Sequence, residues 1–140
     1  MKTTFSLIAE RCGLSHREAA EFLGVRIDTV KSWSSGRNAA PTGAITQLRD
    51  LYNKIDRAAG EVIRHIAAVT AEHGAPEEIE LGLASDDYEA RHPPLGWPCV
   101  GAHAAMLGLV AARVNLPVRI APRGSSGASA AAADKHDIST

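Results

Sequence analysis

The chain has 140 residues, enough for one real core or for a compact domain with a small appendage, and too few for two large independent domains. Hydrophobic residues make up 45% of it and aromatic ones only 4%, a balance that predicts a mostly α protein built on Ala, Leu, Val and Ile. The net charge of −1 hides an uneven distribution: nine Lys/Arg stand against six Asp/Glu in residues 1–57, net +3, and six against ten in residues 58–140, net −4. The two parts are therefore expected to meet different partners.

Cys12 and Cys99 are too few for a disulfide framework, and no basic leader with an apolar core opens the chain, so a reducing cytoplasm is the expected compartment. Residues 92–112 carry no Asp, Glu, Lys or Arg, but after HPPLGWP about 14 residues remain, short of the roughly 20 that span a bilayer. That stretch predicts a buried helix and no membrane partner.

In chain order, Phe5, Leu7, Ile8 and Cys12 mark a first helix over Thr3 to Cys12, stopped by Gly13. Ser15 with Glu18 three residues later is a capping box that opens a second helix, whose buried side is Ala19, Ala20, Phe22 and Leu23 and whose end is Gly24. A third helix places Ile27, Val30 and Trp33 at one-turn spacings and ends at Gly36. Two short helices around a tight glycine turn are the layout of a helix-turn-helix.

Pro41 suits the first position of the next helix. Behind it Ile45, Leu48, Tyr52, Ile55, Ala59, Val62, Ile66 and Val69 alternate by three and four, an a/d seam, while Leu51 and Ile63 widen the stripe. Part of this helix is expected to pack at home and part, from Val62 to Val69, against a second chain. Gly60 marks a possible kink or break.

The period then changes. Ile79, Leu81 and Leu83 alternate with Glu80, Gly82 and Ala84 as a short strand; Trp97 to Val114 forms a small-residue helix; Pro117 to Ile120 forms a second strand able to pair with the first. The acids Glu77, Glu78, Glu80, Asp86, Asp87 and Glu89 fall in thirteen residues without a base, a solvated face or loop, or else a surface that keeps this half off a phosphate backbone. From residue 123 the Ser, Ala and Gly content predicts a disordered tail.

Leu14 to Pro41 reads LSHREAAEFLGVRIDTVKSWSSGRNAAP. It resembles the Cro/repressor-type helix-turn-helix family: Leu-Ser opens helix two, Ala20 is the small residue at the helix crossing, Leu-Gly-Val makes the turn, Thr-Val-x-x-Trp lies on the recognition helix, and Gly-Arg with a nearby Pro follows. Ser34 and Arg26 depart from it, standing where the family usually has Glu after the Trp and often a capping Ser or Thr. The resemblance implies a five-helix DNA-binding domain over residues 1–57, followed by a small α(+β) dimerisation unit over 58–122 and the tail over 123–140.

With Val30 and Trp33 facing inward, Ile27, Asp28, Lys31 and Ser32 are the base-edge candidates: Asp28 for cytosine N4, Ile27 for a thymine methyl, Ser32 for either kind of edge, and Lys31 for guanine or phosphate. His16 and Arg17, at the start of helix two, and Arg26, Thr29, Ser35, Arg37 and Asn38 are the phosphate candidates.

The wider layout resembles anti-CRISPR-associated repressors of bacteria and phages, which implies a homodimer that represses its own operon from an inverted repeat. Val62, Ile66, Val69 and Trp97 are the expected interface. The alternative is an antitoxin whose acidic half binds a toxin, and RNA stays open as a second target. Cys99 and His103 share a helix face, but a structural zinc site wants four ligands and a Cys/His nucleophile wants an orienting partner. Neither is visible in the sequence, nor is a Gly-rich phosphate loop, so no enzyme, metal or cofactor is expected.

Overall fold

The computed structural model describes residues 2–124; the expected tail falls outside them from residue 125 onward. The described residues form α1 (Thr4–Arg11), α2 (His16–Leu23), α3 (Ile27–Ser35), α4 (Thr42–His73), β1 (Ile79–Leu83), α5 (Asp87–Arg91), α6 (Val100–Arg113) and β2 (Val118–Pro122). No described helix is long and apolar enough to cross a membrane.

Side-chain oxygens start the first two helices. The Thr3 hydroxyl accepts from the Ser6 amide at 3.1 Å and the Ser6 hydroxyl from the Thr3 amide at 2.9 Å. Ser15 and Glu18 make the same reciprocal pair on α2, at 3.1 and 2.9 Å, as the sequence predicts. Each pair satisfies two backbone donors that a helix start leaves open.

The organising element is α4, whose 32 residues span about 48 Å. It runs unbroken through Gly60, and Pro41 stands one residue before it as the N-cap. Residues 1–57 thus hold three short helices and the first half of a fourth, where five complete helices were expected. Leu48, Leu51, Ile55, Ala58, Ala59 and Val62 line its buried stripe, which packs on α1 and α6.

The boundary expected at residue 57 therefore falls mid-helix, with contacts on both sides of it. Lys54 donates to the Gly96 carbonyl at 2.8 Å and sits 4.7 Å from the centre of the Trp97 ring, and Arg113 pairs with Asp56 at 2.6 Å. One core joins both halves.

The tightest crossing is backbone on backbone. At Gly13 (φ +74°) a Cβ would lie 2.0 Å from the Gly101 carbonyl oxygen, and at Gly101 it would lie 2.0 Å from that of Gly13. Only two glycines let the first turn of α6 seat on the α1–α2 corner.

Several acids expected on a solvated face serve as caps. Asp86 accepts from the Glu89 amide at 2.8 Å and Glu89 from the Ser85 amide at 2.9 Å, which starts the short α5. Asp87 accepts from the Val100 amide at 2.9 Å. It caps α6 from a distance, since Cys99 at the N-cap makes no side-chain cap bond.

Helix α6 begins at Val100, so Trp97 lies in the preceding loop instead of leading the helix, and its ring is buried. Strands β1 and β2 pair in parallel, Ile79 opposite Val118 and Leu81 opposite Ile120, with α5 and α6 as the crossover that parallel pairing requires.

Buried thiols complete the junction. Burial raises Cys12 to about 11, with Cys99 adding to the shift. Burial likewise raises Cys99 to about 11, and the carboxylates of Glu18 and Asp87 push the same way. Both stay protonated near neutrality. An unfolded thiol ionises near its ordinary value of 9.0, so the stability these groups contribute is intact below pH 9 and is lost as pH rises toward 11.

Two outcomes follow. Urea denaturation at pH 8 and pH 10.5 should show a larger stability loss in the parent than in a Cys12→Ala/Cys99→Ala variant, by about 3–4 kcal/mol for the two thiols together. At Gly60 an added Cβ meets only the flexible end of Arg64, at 3.4 Å. Gly60→Ala should therefore raise the urea-derived stability by about 0.5–1 kcal/mol through helix propensity alone.

Candidate nucleic-acid interface

Helices α2 and α3 are joined by the three residues 24–26. Gly24 adopts φ 69°, ψ 34°, and the Val25 amide returns to the Ala20 carbonyl at 3.0 Å, which turns the chain sharply out of α2. Arg26 is the N-cap of α3 and supplies no side-chain cap bond; Gly36 (φ 85°) ends the helix.

Two residues anchor α3. Val30 is fully buried, and Trp33 meets Phe5 of α1 edge-on, with ring centroids 5.5 Å apart at 72°. The Thr3 hydroxyl shares its proton between the Trp33 and Ser34 carbonyls at 3.1 and 3.3 Å. The start of α1 thus holds the end of α3, so the helix is held at its middle by Val30 and at its C-terminal end by Trp33.

The opposite side of α3 is open. Ile27 is 39% exposed, and Asp28 and Lys31 are exposed beside it. His16 and Arg17 are exposed on the first turn of α2; Arg26, Ser35, Arg37 and Asn38 are exposed around α3, and Thr29 is half-buried.

Four of the expected contact residues are engaged with one another, Arg37 through its backbone amide. The Asn38 side-chain amide donates to the Ser32 hydroxyl at 2.7 Å, the Asn38 backbone amide to the Ser32 carbonyl at 3.4 Å, the Ser35 hydroxyl to the Ser32 carbonyl at 3.2 Å, and the Arg37 amide to the Ser35 hydroxyl at 3.4 Å. Ser32 is half-buried and Asn38 leans on it. Within the fold they shape the loop that carries Arg37, and the Ser32 hydroxyl keeps its proton and one lone pair for a further partner.

Four cations without an ion pair gather on the same surface. Among the described residues Arg17, Arg26, Lys31 and Arg37 make no salt bridge, nor do Arg11, Arg49, Arg57 and Arg64 elsewhere, whereas Arg91 pairs with Glu21, Arg113 with Asp56, and Arg119 with both Glu78 and Glu80. A groove of about 410 Å³ runs between α1, α2 and α3, lined by Lys2, Ser6, Glu10, His16, Lys31, Ser34 and Ser35. Lys2, which pairs with Glu10, enters the site unforeseen. It precedes the first helix in sequence and reaches Lys31 only through the tertiary fold.

Neither a known protein family nor a curated protein matches this chain.

The expected dimer residues divide. Val62 is 0% and Trp97 1% exposed, both inside the protomer's own core, because α6 occupies the side of the α4 seam that was expected to await a second chain. Ile66 and Val69 are half-buried further along α4. The Cys99 and His103 pair is equally internal: His103 Nδ1 accepts from the Ala84 amide at 3.2 Å, and among the described residues no three His, Cys, Asp or Glu side chains gather to hold a metal.

Thr3→Val removes both the α1 cap and the α3 tether. It should lower urea-derived stability by about 1–3 kcal/mol, and Thr3→Ser, which keeps the hydroxyl, should restore most of the loss.

Proposed function

We propose that this chain is a sequence-specific DNA-binding repressor that acts as a homodimer on an inverted repeat, in the manner of the anti-CRISPR-associated autorepressors it resembles. The observation that carries the reading is the open side of α3, where Ile27, Asp28 and Lys31 project between the unpaired cations Arg17, Arg26 and Arg37. The width of a major groove admits one such helix, with its first turns against base edges and the flanking cations on phosphates.

Roles follow from position. Ile27, Asp28 and Lys31 read bases; His16, Arg17, Arg26 and Arg37 hold the backbone; Thr29 lies at the edge of the contact; Ser32, Ser35 and Asn38 shape the loop that presents Arg37. Two protomers related by a two-fold place their α3 helices on half-sites about one turn apart. The chemistry is binding alone, with no catalytic step and no cofactor.

The antitoxin reading keeps this DNA surface and adds a protein partner for the acidic half. Tyr88 favours it, being 69% exposed and stacked on His92 beside Asp86, Asp87 and Glu89.

Fluorescence anisotropy at physiological salt, on DNA from upstream of the chain's own gene and on a shuffled control, tests the proposal. Binding to the first should be about a thousandfold tighter or more. Lys31→Ala should lose about 1–3 kcal/mol on the specific site, while Arg37→Ala should weaken both DNAs alike and lower the salt slope by about 1. Equal weak binding to both DNAs would overturn the reading as an autorepressor and turn attention to partners of the acidic half.

A further inference from the structure

The two-stranded sheet has one open edge, and its geometry is self-complementary. In the parallel register the backbone groups of residues 117, 119, 121 and 123 face β1; the end bonds are the Ile79 amide to the Pro117 carbonyl at 2.8 Å and the Arg123 amide to the Leu83 carbonyl at 2.9 Å. The amides and carbonyls of Val118 and Ile120 therefore point away from β1, toward an edge on which no described strand lies. The outer edge of β1 is less accessible, since Glu80 is half-buried and Gly82 buried, whereas Ile120 is 45% exposed and Val118 half-buried.

We propose that β2 pairs with β2 of a second copy, antiparallel and centred on Arg119, to make a continuous four-stranded sheet. This rests on the homodimer of the proposed function and names the surface that forms it. With the two-fold axis at Arg119, Val118 lies opposite Ile120 of the second copy and exchanges both backbone hydrogen bonds with it; the same pair recurs on the other side of the axis, for four bonds in all. Each exposed Ile120 then packs on a valine across the strands, a favoured apolar pair.

Charge decides whether the centre of this pairing is tolerable. Two Arg119 side chains would face one another directly, which alone would oppose association. Each guanidinium, however, is already held by two carboxylates, Glu78 at 3.1 Å and Glu80 at 2.9 Å, so the two-copy centre brings two arginines together with four glutamates. Pro117 and Pro122 bracket the edge, and Pro122 has no donor to extend the ladder. The pairing is confined to a short segment, which favours a closed, weak dimer that two DNA half-sites would tighten over an open stack of chains.

At the centre of such a pairing the two residues 119 lie about 4.5 Å apart at Cα, within disulfide reach. The two residues 80 lie three strand spacings apart, about 14 Å, and beyond it.

The experiment uses the full chain. Arg119→Cys treated with diamide, a thiol oxidant, should run mostly as a covalent dimer on a non-reducing gel, while Glu80→Cys and the parent should not. By analytical ultracentrifugation at high micromolar concentration the parent should be a dimer. Ile120→Pro, which removes an outward donor but no bond to β1, should be a monomer with unchanged circular dichroism, and Ile120→Thr should stay a dimer.

A monomeric parent, a dimeric Ile120→Pro, or cross-linking at residue 80 equal to that at 119 would each overturn the proposal. If Ile120→Pro fails to fold, the cross-linking comparison decides alone. None of these readouts involves DNA, so cross-linking at 119 in a chain that ignores its upstream DNA would uphold the interface while overturning the function.

Discussion

The burial of one stripe of α4, from Leu48 to Val62, is the constraint on which the other elements depend. Three short helices of eight or nine residues are too brief to be stable alone in water. They gain their stability from packing, and α4 supplies the surface. The same stripe receives α6, so the orientation of α3 and the position of the small sheet are referred to one rod. Fixing Thr3 to the Trp33 and Ser34 carbonyls then removes the remaining freedom of α3 relative to α1.

Where chemistry is local, residues announced their structure. Ser15 with Glu18, Gly24 and Gly36 gave α2 and α3 their limits, because caps and left-handed turns are decided within four residues. The alternation of Ile79, Leu81 and Leu83 disclosed β1 for the same reason. Most of the open side of α3 was equally legible, since knowing that Val30 and Trp33 face inward leaves little choice for Ile27, Asp28 and Lys31.

What stayed hidden depends on residues far apart in the chain. The heptad seam through Val62 is the same pattern whether its partner is another molecule or a later helix, and α6, made largely of Ala, Gly and Val, carried too weak a stripe to claim it. Asp87 looked like one more surface acid because the amide it caps, on Val100, lies thirteen residues on. The bond between Ser32, expected at a base edge, and Asn38, expected at a phosphate, could not be read from sequence because it exists only once the chain has turned past Gly36.

The same distinction changes the meaning of the net charge. A total of −1 describes a chain in water, but a polyanion senses charge within about a Debye length, roughly 10 Å at 0.1 M salt. Folding pairs Arg91, Arg113 and Arg119 with carboxylates contributed by other elements, and so weakens the field of these three cations of the second half. Arg17, Arg26, Lys31 and Arg37 are left without a salt bridge around α3, with Asp28 the acid among them. Those same pairs place Glu21 and Asp56, two of the six acids in residues 1–57, beneath arginines of the second half. The first part is thereby more cationic in the fold than its own count of charges states, and the acidic half contributes to that field by supplying the arginines that mask its neighbour's acids.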